Sequence, residues 1–203
     1  KKDLENALAL YEQIEKDFEN SDLRMAVKAD LVKIRVSLRK DYVAKAEKSL
    51  EGKAPDWTAA IASYEKAVKF YAQPDPEIAD AIEACRKNFD VKVKLAACDQ
   101  LARNGRLDDA LDALDKIAMG SHYDRALLTL KTNIANEKQF QKAVKAYRQK
   151  DARTALDLLA SHPEERAAAL SQKIKTVVAG LEEGKRLYQV HEYVDALPHL
   201  EAV

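Results

Sequence analysis

Residues 180–203 read GLEEGKRLYQVHEYVDALPHLEAV, and their spacing predicts a helical hairpin. A first helix runs to a tight turn at residues 189–192, and a second helix follows. Small residues stand where the two helices must approach, Gly184 on the first and Ala196 on the second, because a larger side chain would push the helices apart. We expect the space around that approach to be filled by bulky residues: Leu187, Tyr188, Tyr193, Leu197 and Leu200.

The second helix of this hairpin has weaker copies upstream. In each copy a bulky or apolar residue is followed three positions later by an alanine and then by an aliphatic residue. The alanines of the four copies are Ala7, Ala60, Ala110 and Ala155, and that of the last hairpin is Ala196. Their spacing falls from 53 to 41 residues along the chain. A drifting spacing of this kind indicates one structural unit, repeated with helices of different length.

Capping residues, proline and glycine indicate where the helices begin and end along the chain. Asn20–Asp22, Asp56 and Asp75 are expected to cap helix N-termini, since their side-chain oxygens can accept free N–H groups. Pro76 suits a first helical position, and Gly120 can take the left-handed conformation that ends a helix. The predicted long helices cover residues 23–50, 76–103, 122–149 and about 161–190, and the predicted short ones cover 3–19, 57–71, 106–118, 152–160 and the end of the chain.

The pattern predicts an all-α fold, because a two-helix hairpin buries its apolar stripe only against a neighbouring hairpin. We expect antiparallel hairpins stacked as an α-solenoid, in one array over residues 1–203. The approximate units are 1–21 (partial), 22–75, 76–120, 121–162 and 163–203. The chain begins with Lys1 rather than Met, so we expect it to be a piece excised from a longer protein.

Composition restricts the classes of function. Lys and Arg together number 34, as do Asp and Glu, so no overall field attracts nucleic acid or an anionic membrane. No apolar run approaches the roughly 18 residues of a membrane span, so we expect no membrane insertion. Cys85 and Cys98 are expected to be two buried thiols. The compartment is left open, with the cytoplasm as the default expectation.

The last hairpin resembles a tetratricopeptide repeat. That family pairs Gly or Ala on its first helix with Ala twelve residues later, as Gly184 and Ala196 do here, and the pairs Cys98/Ala110 and Ala143/Ala155 keep the same spacing. The units are longer than the family's period near 34 residues, so the resemblance is to an extended form. It implies a right-handed superhelix that presents a groove to peptides or partner proteins, and it implies no catalytic residues.

No motif for chemistry stands out. Residues 191–195 read HEYVD, in which Asp195 replaces the second histidine of the H-E-x-x-H zinc motif. His191 and His199 lie eight positions apart with no third ligand to name. We therefore expect capping or surface histidines, no metal, no cofactor and no enzyme activity.

Two segments are locally basic. Residues 131–153 carry seven Lys and Arg against two carboxylates, and residues 24–53 carry nine against four. The favoured interpretation is a solvated face offset by acidic neighbours such as Asp108 and Asp115. An acidic peptide is the next choice of ligand. Nucleic acid is less favoured, because proteins that bind it usually also expose aromatic side chains on which bases stack.

If this chain has the binding groove of the tetratricopeptide family, the first helix of each unit lines that groove. The predicted partner-binding residues are Lys92, Asp99, Arg103, Lys142, Lys145, Tyr147, Arg148, Lys185 and Tyr188, with the apolar neighbours Leu95, Phe140, Val144 and Leu181.

The function expected from the sequence is a non-enzymatic scaffold for contacts with a peptide or protein. Two alternatives stay open. One is a structural spacer or self-association segment, in which long helices pair between chains as a homo-oligomer. The other is a solenoid that binds nucleic acid through the basic helices.

Overall fold

In the computed structural model of the chain, the described residues are 2–17, 23–71 and 75–201, and every regular element within them is an α-helix. The all-α prediction is therefore confirmed. The helices of these ranges, in chain order, are α1 (Lys2–Asp17), α2 (Leu23–Leu50), α3 (Trp57–Val68), α4 (Pro76–Arg103), α5 (Leu107–Asp115), α6 (Asp124–Arg148), α7 (Ala152–Leu159), α8 (Glu165–Gln189) and α9 (Tyr193–Glu201).

The predicted limits of α2 and α4 are confirmed, and several other helices are shorter than predicted, among them α5, which ends at Asp115 rather than at residue 118. Helix α3 ends at Val68 because the Tyr71 N–H donates to the Val68 carbonyl in a tighter turn, 3.1 Å. Helix α6 starts at Asp124, since the Ser121 hydroxyl accepts the Tyr123 N–H at 3.1 Å in a turn before it. Helix α8 starts only at Glu165.

Aspartates cap the helices as the sequence predicts. The Asp56 carboxylate accepts the Ala59 N–H at 3.0 Å, and the Asp75 carboxylate accepts the Glu77 N–H at the same distance. Asp151 caps α7 in the same way through the Thr154 N–H. The predicted cap at residues 20–22 lies outside the described residues.

The turns between long and short helices repeat one geometry. The N–H groups of Arg106, Asp151 and Glu192 each donate to the carbonyl five residues earlier, at 3.0 Å. Between α2 and α3 the corresponding bond joins the Asp56 N–H to the Ser49 carbonyl across a turn two residues longer. Four residues after each donor stands a predicted alanine, and Ala60, Ala110, Ala155 and Ala196 are all at most 1% exposed.

Each of these alanines has a small buried counterpart on the preceding long helix. The counterparts are Ala46, Cys98, Ala143 and Gly184. The spacing is twelve residues in the last three pairs and fourteen in the first, where the connecting turn is two residues longer. At Gly184 an added Cβ would lie 2.8 Å from Leu200 Cδ2, so α8 and α9 do meet closely there.

The chain divides into two compact units. Unit 1 comprises Lys1–Lys94 and Met119–Tyr123, and unit 2 comprises Leu95–Ala118 and Asp124–Val203. The core of unit 1 packs Trp57, Ala60 and Tyr64 of α3 against Ala46 of α2 and Cys85 of α4.

Within unit 1, the segment 119–123 contacts α3 and α4 through hydrogen bonds. The Trp57 indole N–H donates to the Tyr123 hydroxyl at 2.8 Å. Lys87 Nζ donates to the Gly120 carbonyl at 3.0 Å, and the Asn88 side chain accepts the His122 N–H at 2.6 Å. Gly120 has φ +93° as the sequence suggests, and the loop that contains it is packed against α3 and α4.

In unit 2, the core cluster between α6, α7 and α8 is built mostly from small residues. Ala143 and Ala146 of α6, Ala155 of α7 and Ala167 of α8 pack around Ile174, which is fully buried. Close-set alanines let these helices approach, and Ile174 fills the remaining space.

One expectation for the last hairpin is wrong. Tyr188 is 59% exposed and Leu197 is 55% exposed, so they do not fill the space between α8 and α9. Each stands one residue beyond a buried position, Leu187 and Ala196, and one residue turns a helical side chain by about 100°. The Tyr193 side chain lies outside the described residues.

Candidate partner-binding site

A cleft of about 560 Å³ lies in unit 2 between the end of α6, the start of α7 and the middle of α8. Its lining residues are Tyr147, Arg148, Lys150, Ala152, Val177, Val178, Leu181 and Leu200. We call it the α6–α8 cleft. Aliphatic side chains of α8 line one side, and we call the two cations of the α6 side, Arg148 and Lys150, the cationic rim.

Local structure fixes both sides of the α6–α8 cleft. Val177, Val178 and Leu181 share one face of α8, because residues three and four apart on a helix are neighbours. On the other side, Tyr147 packs against the small-residue core of unit 2, which holds its ring in place. The apolar part of the cleft lining is therefore preformed.

The cationic rim is positioned by the turn after α6. Lys150 adopts φ +65°, and its N–H donates to the Tyr147 carbonyl at 3.0 Å. Gly105 and His191 occupy the same left-handed position in the other two short turns, with φ +77° and +67°. The repeated turn thus fixes the backbone of Lys150 beside the cleft, at a position where glycine would fit at lower conformational cost.

A second cleft of about 410 Å³ follows α6 toward its middle, and Arg148 and Lys145 line its near end. The other lining residues are Glu137, Phe140, Gln141 and Val144. Arg148 belongs to both clefts. The two clefts therefore present one cationic and apolar strip along α6.

Ion pairs close the far end of this strip. Arg166 of α8 donates to Glu137 and Glu164, and its guanidinium carbon lies 4.3 Å from the centroid of the Phe140 ring. The pKa of Glu137 is lowered, mainly because Arg166 donates a hydrogen bond to the ionised carboxylate. This network fixes Phe140 and leaves Glu137 charged at neutral pH.

His162 ties the same region together. Its Nδ1 accepts the Glu164 N–H at 3.3 Å, so the ring proton is on Nε2, which lies 2.9 Å from the Asn136 carbonyl. His162 therefore joins the end of α7 to α6 just before α8 begins.

The basic segment predicted over residues 131–153 is neutralised in its first half only. Lys131 pairs with Asp115 and Lys138 pairs with Asp108, as the interpretation of offset charges suggests. Within the described ranges, the later cations form no ion pair: Lys142, Lys145, Arg148 and Lys150. The free charge is thus concentrated beside the two clefts.

The structure brings three of the nine predicted binding residues together, namely Lys145, Tyr147 and Arg148. Lys142, Lys185 and Tyr188 are exposed on α6 and α8 and line neither cleft. Asp99 and Arg103 pair with each other at 2.7 Å along α4, and Lys92 is an exposed residue of unit 1. The neighbours Phe140, Val144 and Leu181 do line the clefts.

Sequence reasoning missed five residues of the α6–α8 cleft. They are Lys150, Ala152, Val177, Val178 and Leu200. Val177 and Val178 could have been found, since they stand one helical turn before Leu181. Lys150 gave no signal, because nothing local indicates that a turn residue will face a helix that begins 15 residues later.

The described residues offer neither a metal site nor a membrane span, and both of their cysteines are buried. In those ranges no group of three or more His, Cys, Asp or Glu side chains could hold a metal ion. Burial raises the pKa of both thiols, Cys85 and Cys98, which are free and buried as expected. No helix in the described part of the chain is both long and apolar enough to cross a membrane.

Comparison with protein-family models, curated proteins and solved structures finds no match to this chain.

Proposed function

We propose that this chain is a non-enzymatic helical-repeat module that binds a peptide or partner protein through the α6–α8 cleft. In this proposal it is an extended, tetratricopeptide-like array, with hairpins stacked as a right-handed α-solenoid. The repeated turn supports the array: the same hydrogen bond and a buried alanine four residues later recur along the chain.

The observation that carries the binding proposal is the pairing of an aliphatic wall with an unpaired cationic rim in one preformed cleft. Val177, Val178 and Leu181 offer apolar area, while Arg148 and Lys150 offer donors at the edge. Binding energy at protein interfaces comes mainly from apolar and aromatic anchors, with charges at the rim setting orientation and partner choice. A peptide with an aliphatic side chain beside a carboxylate or a carbonyl fits both sides.

Selection from a displayed random-peptide library tests this proposal. Peptides captured by the wild-type chain should bind the double variant Arg148→Glu/Lys150→Glu at least about tenfold more weakly, which corresponds to 1.4 kcal/mol. The matched control is Lys173→Glu/Lys175→Glu, on exposed positions of α8 that do not line the cleft. Equal loss in both variants would show a general charge effect and would refute the site.

A second candidate function is self-association, favoured by exposed apolar residues near the end of the described chain. Val194 is 86% exposed, and Tyr188 and Leu197 are each more than half exposed. Apolar groups clustered on one surface often mark contacts between proteins. Light scattering on the wild type and on Val194→Asp would distinguish the two functions. A dimer that the substitution dissociates favours self-association, and a monomer in both samples favours the cleft.

A further inference from the structure

We propose that a further cleft, in unit 1, binds an acidic peptide segment. It has a volume of about 410 Å³ and lies between α1, α2 and the turn that follows α3. We call it the α1–α3 cleft. It shares no residue with the α6–α8 cleft, so the two proposals stand or fall separately.

Three cations line the α1–α3 cleft against one carboxylate. Arg35 and Arg39 project from α2, and Lys69 follows α3, whereas Glu12 of α1 is the single acidic residue in the lining. Within the described ranges, Lys69 forms no ion pair. The wall thus keeps an excess of positive charge that an anionic ligand would balance.

Both guanidinium groups are held in place. The Arg39 guanidinium carbon lies 4.6 Å from the centroid of the Tyr71 ring, a cation–π contact that leaves its N–H donors available. Arg35 Nη2 donates to Glu12 Oε1 at 2.9 Å. Positioned donors lose less conformational freedom when a ligand binds, so this arrangement favours an oxyanion.

The Glu12–Arg35 pair shows how this wall takes a carboxylate. Their side chains are 48% and 43% exposed, and an exposed pair of this kind contributes at most about 1 kcal/mol. A carboxylate from a partner can therefore displace or join Glu12 at little cost. Glu12 acts as an internal competitor for the site.

An apolar surface lies beside the cations. Val32 is 59% exposed, and Val36 and Phe70 are half-buried in the same lining. The Phe70 ring is stacked on Tyr42 with centroids 6.0 Å apart, so one of its faces is already covered. A single-stranded nucleic acid needs open aromatic faces for its bases, whereas an aliphatic side chain next to a carboxylate fits the exposed valine. The chemistry favours a peptide.

Fluorescence anisotropy on the whole chain at low salt tests this proposal. The probe is a labelled peptide of alternating leucine and glutamate. The double variant Arg39→Gln/Lys69→Gln should weaken binding by about thirtyfold, because it removes two charge-assisted contacts that each contribute on the order of 1 kcal/mol. Glu12→Gln should tighten binding about threefold by removing the competitor, at less than 1 kcal/mol.

Two controls separate this site from others. Glu83→Gln removes an exposed carboxylate from α4 of the same unit and should leave the affinity unchanged. The titrations are repeated in an Arg148→Glu/Lys150→Glu background, which removes binding at the α6–α8 cleft, so failure of one proposal is distinguishable from failure of the other. Far-UV circular dichroism checks that each variant is folded.

Weaker peptide binding by Arg39→Gln/Lys69→Gln together with tighter binding by Glu12→Gln supports the proposal. It is overturned if the peptide does not bind at low salt, or if Glu12→Gln fails to tighten binding. Stronger binding of a single-stranded oligonucleotide, lost in Arg39→Gln/Lys69→Gln, would replace it with a nucleic-acid site.

Discussion

The close approach of α8 and α9 can be measured with two glycines that lie one turn apart on the same helix. Gly180 and Gly184 both stand inside α8, where alanine is favoured over glycine by about 1 kcal/mol. At Gly180 an added Cβ meets only the His199 carbonyl oxygen, at 3.9 Å. Gly180→Ala should therefore stabilise the protein by about the helix-propensity difference alone.

At Gly184 the same methyl group has no room. It would lie 2.8 Å from Leu200 Cδ2, 2.9 Å from Leu200 Cγ and 3.1 Å from His199 Cβ. Overpacking of this kind costs about 1–3 kcal/mol. The gain in helix propensity is common to both variants. Gly184→Ala should therefore be less stable than Gly180→Ala by the overpacking cost of about 1–3 kcal/mol.

Thermal unfolding followed by far-UV circular dichroism is the assay, with about 2–4 °C expected for each kcal/mol in a chain of this size. Amide hydrogen exchange in α8 and α9 shows whether the loss is local. Adding Leu200→Ala to Gly184→Ala removes the two nearest atoms and should recover part of the difference. Equal stabilisation by the two alanines would refute the close approach.

Two other predictions follow from the core and from an ion-pair network. Ala155 is fully buried in unit 2, so Ala155→Leu should lower the melting temperature through overpacking of about 1–3 kcal/mol, while Ala160→Leu on the exposed end of α7 serves as the control. The pKa of Glu137 is lowered in the folded chain from an ordinary value of 4.5, so its contribution is present above about that pH and is lost as the pH falls through the lower folded value. Glu137→Gln should therefore lower the melting temperature at neutral pH, with a difference from wild type that disappears in acid. A difference that persists at low pH would contradict the role assigned to Arg166.

The positions of the repeats could be predicted from the sequence. Ala60, Ala110, Ala155 and Ala196 were found from spacing alone, and all of them are buried. The small counterparts Ala143 and Gly184 follow from the same spacing, because a tight hairpin turn relates the two helices by a fixed number of residues. The caps at Asp56 and Asp75 could be predicted equally well, since each carboxylate accepts an N–H only two or three residues away.

The candidate sites could be predicted only in part. Lys145, Tyr147 and Arg148 were predicted to bind a partner, and they line the clefts. Which lysines of α6 keep a free charge was not predictable, because Lys138 pairs with an aspartate thirty positions earlier in the chain. The unit 1 cleft was not anticipated as a site, although its arginines belong to a segment whose basic character is visible in the sequence.

Sequence alone determined the helices, their order and the alanines at which short helices meet long ones. These features depend on contacts within a few residues and on a periodicity that repeats along the chain. Tertiary structure decided the rest. It closed the segment 119–123 onto Trp57, a partner 66 residues away from Tyr123, and it set Arg148 beside Leu181 in one cleft. Contacts of this kind depend on how the helices pack, and no local pattern in the sequence specifies that packing.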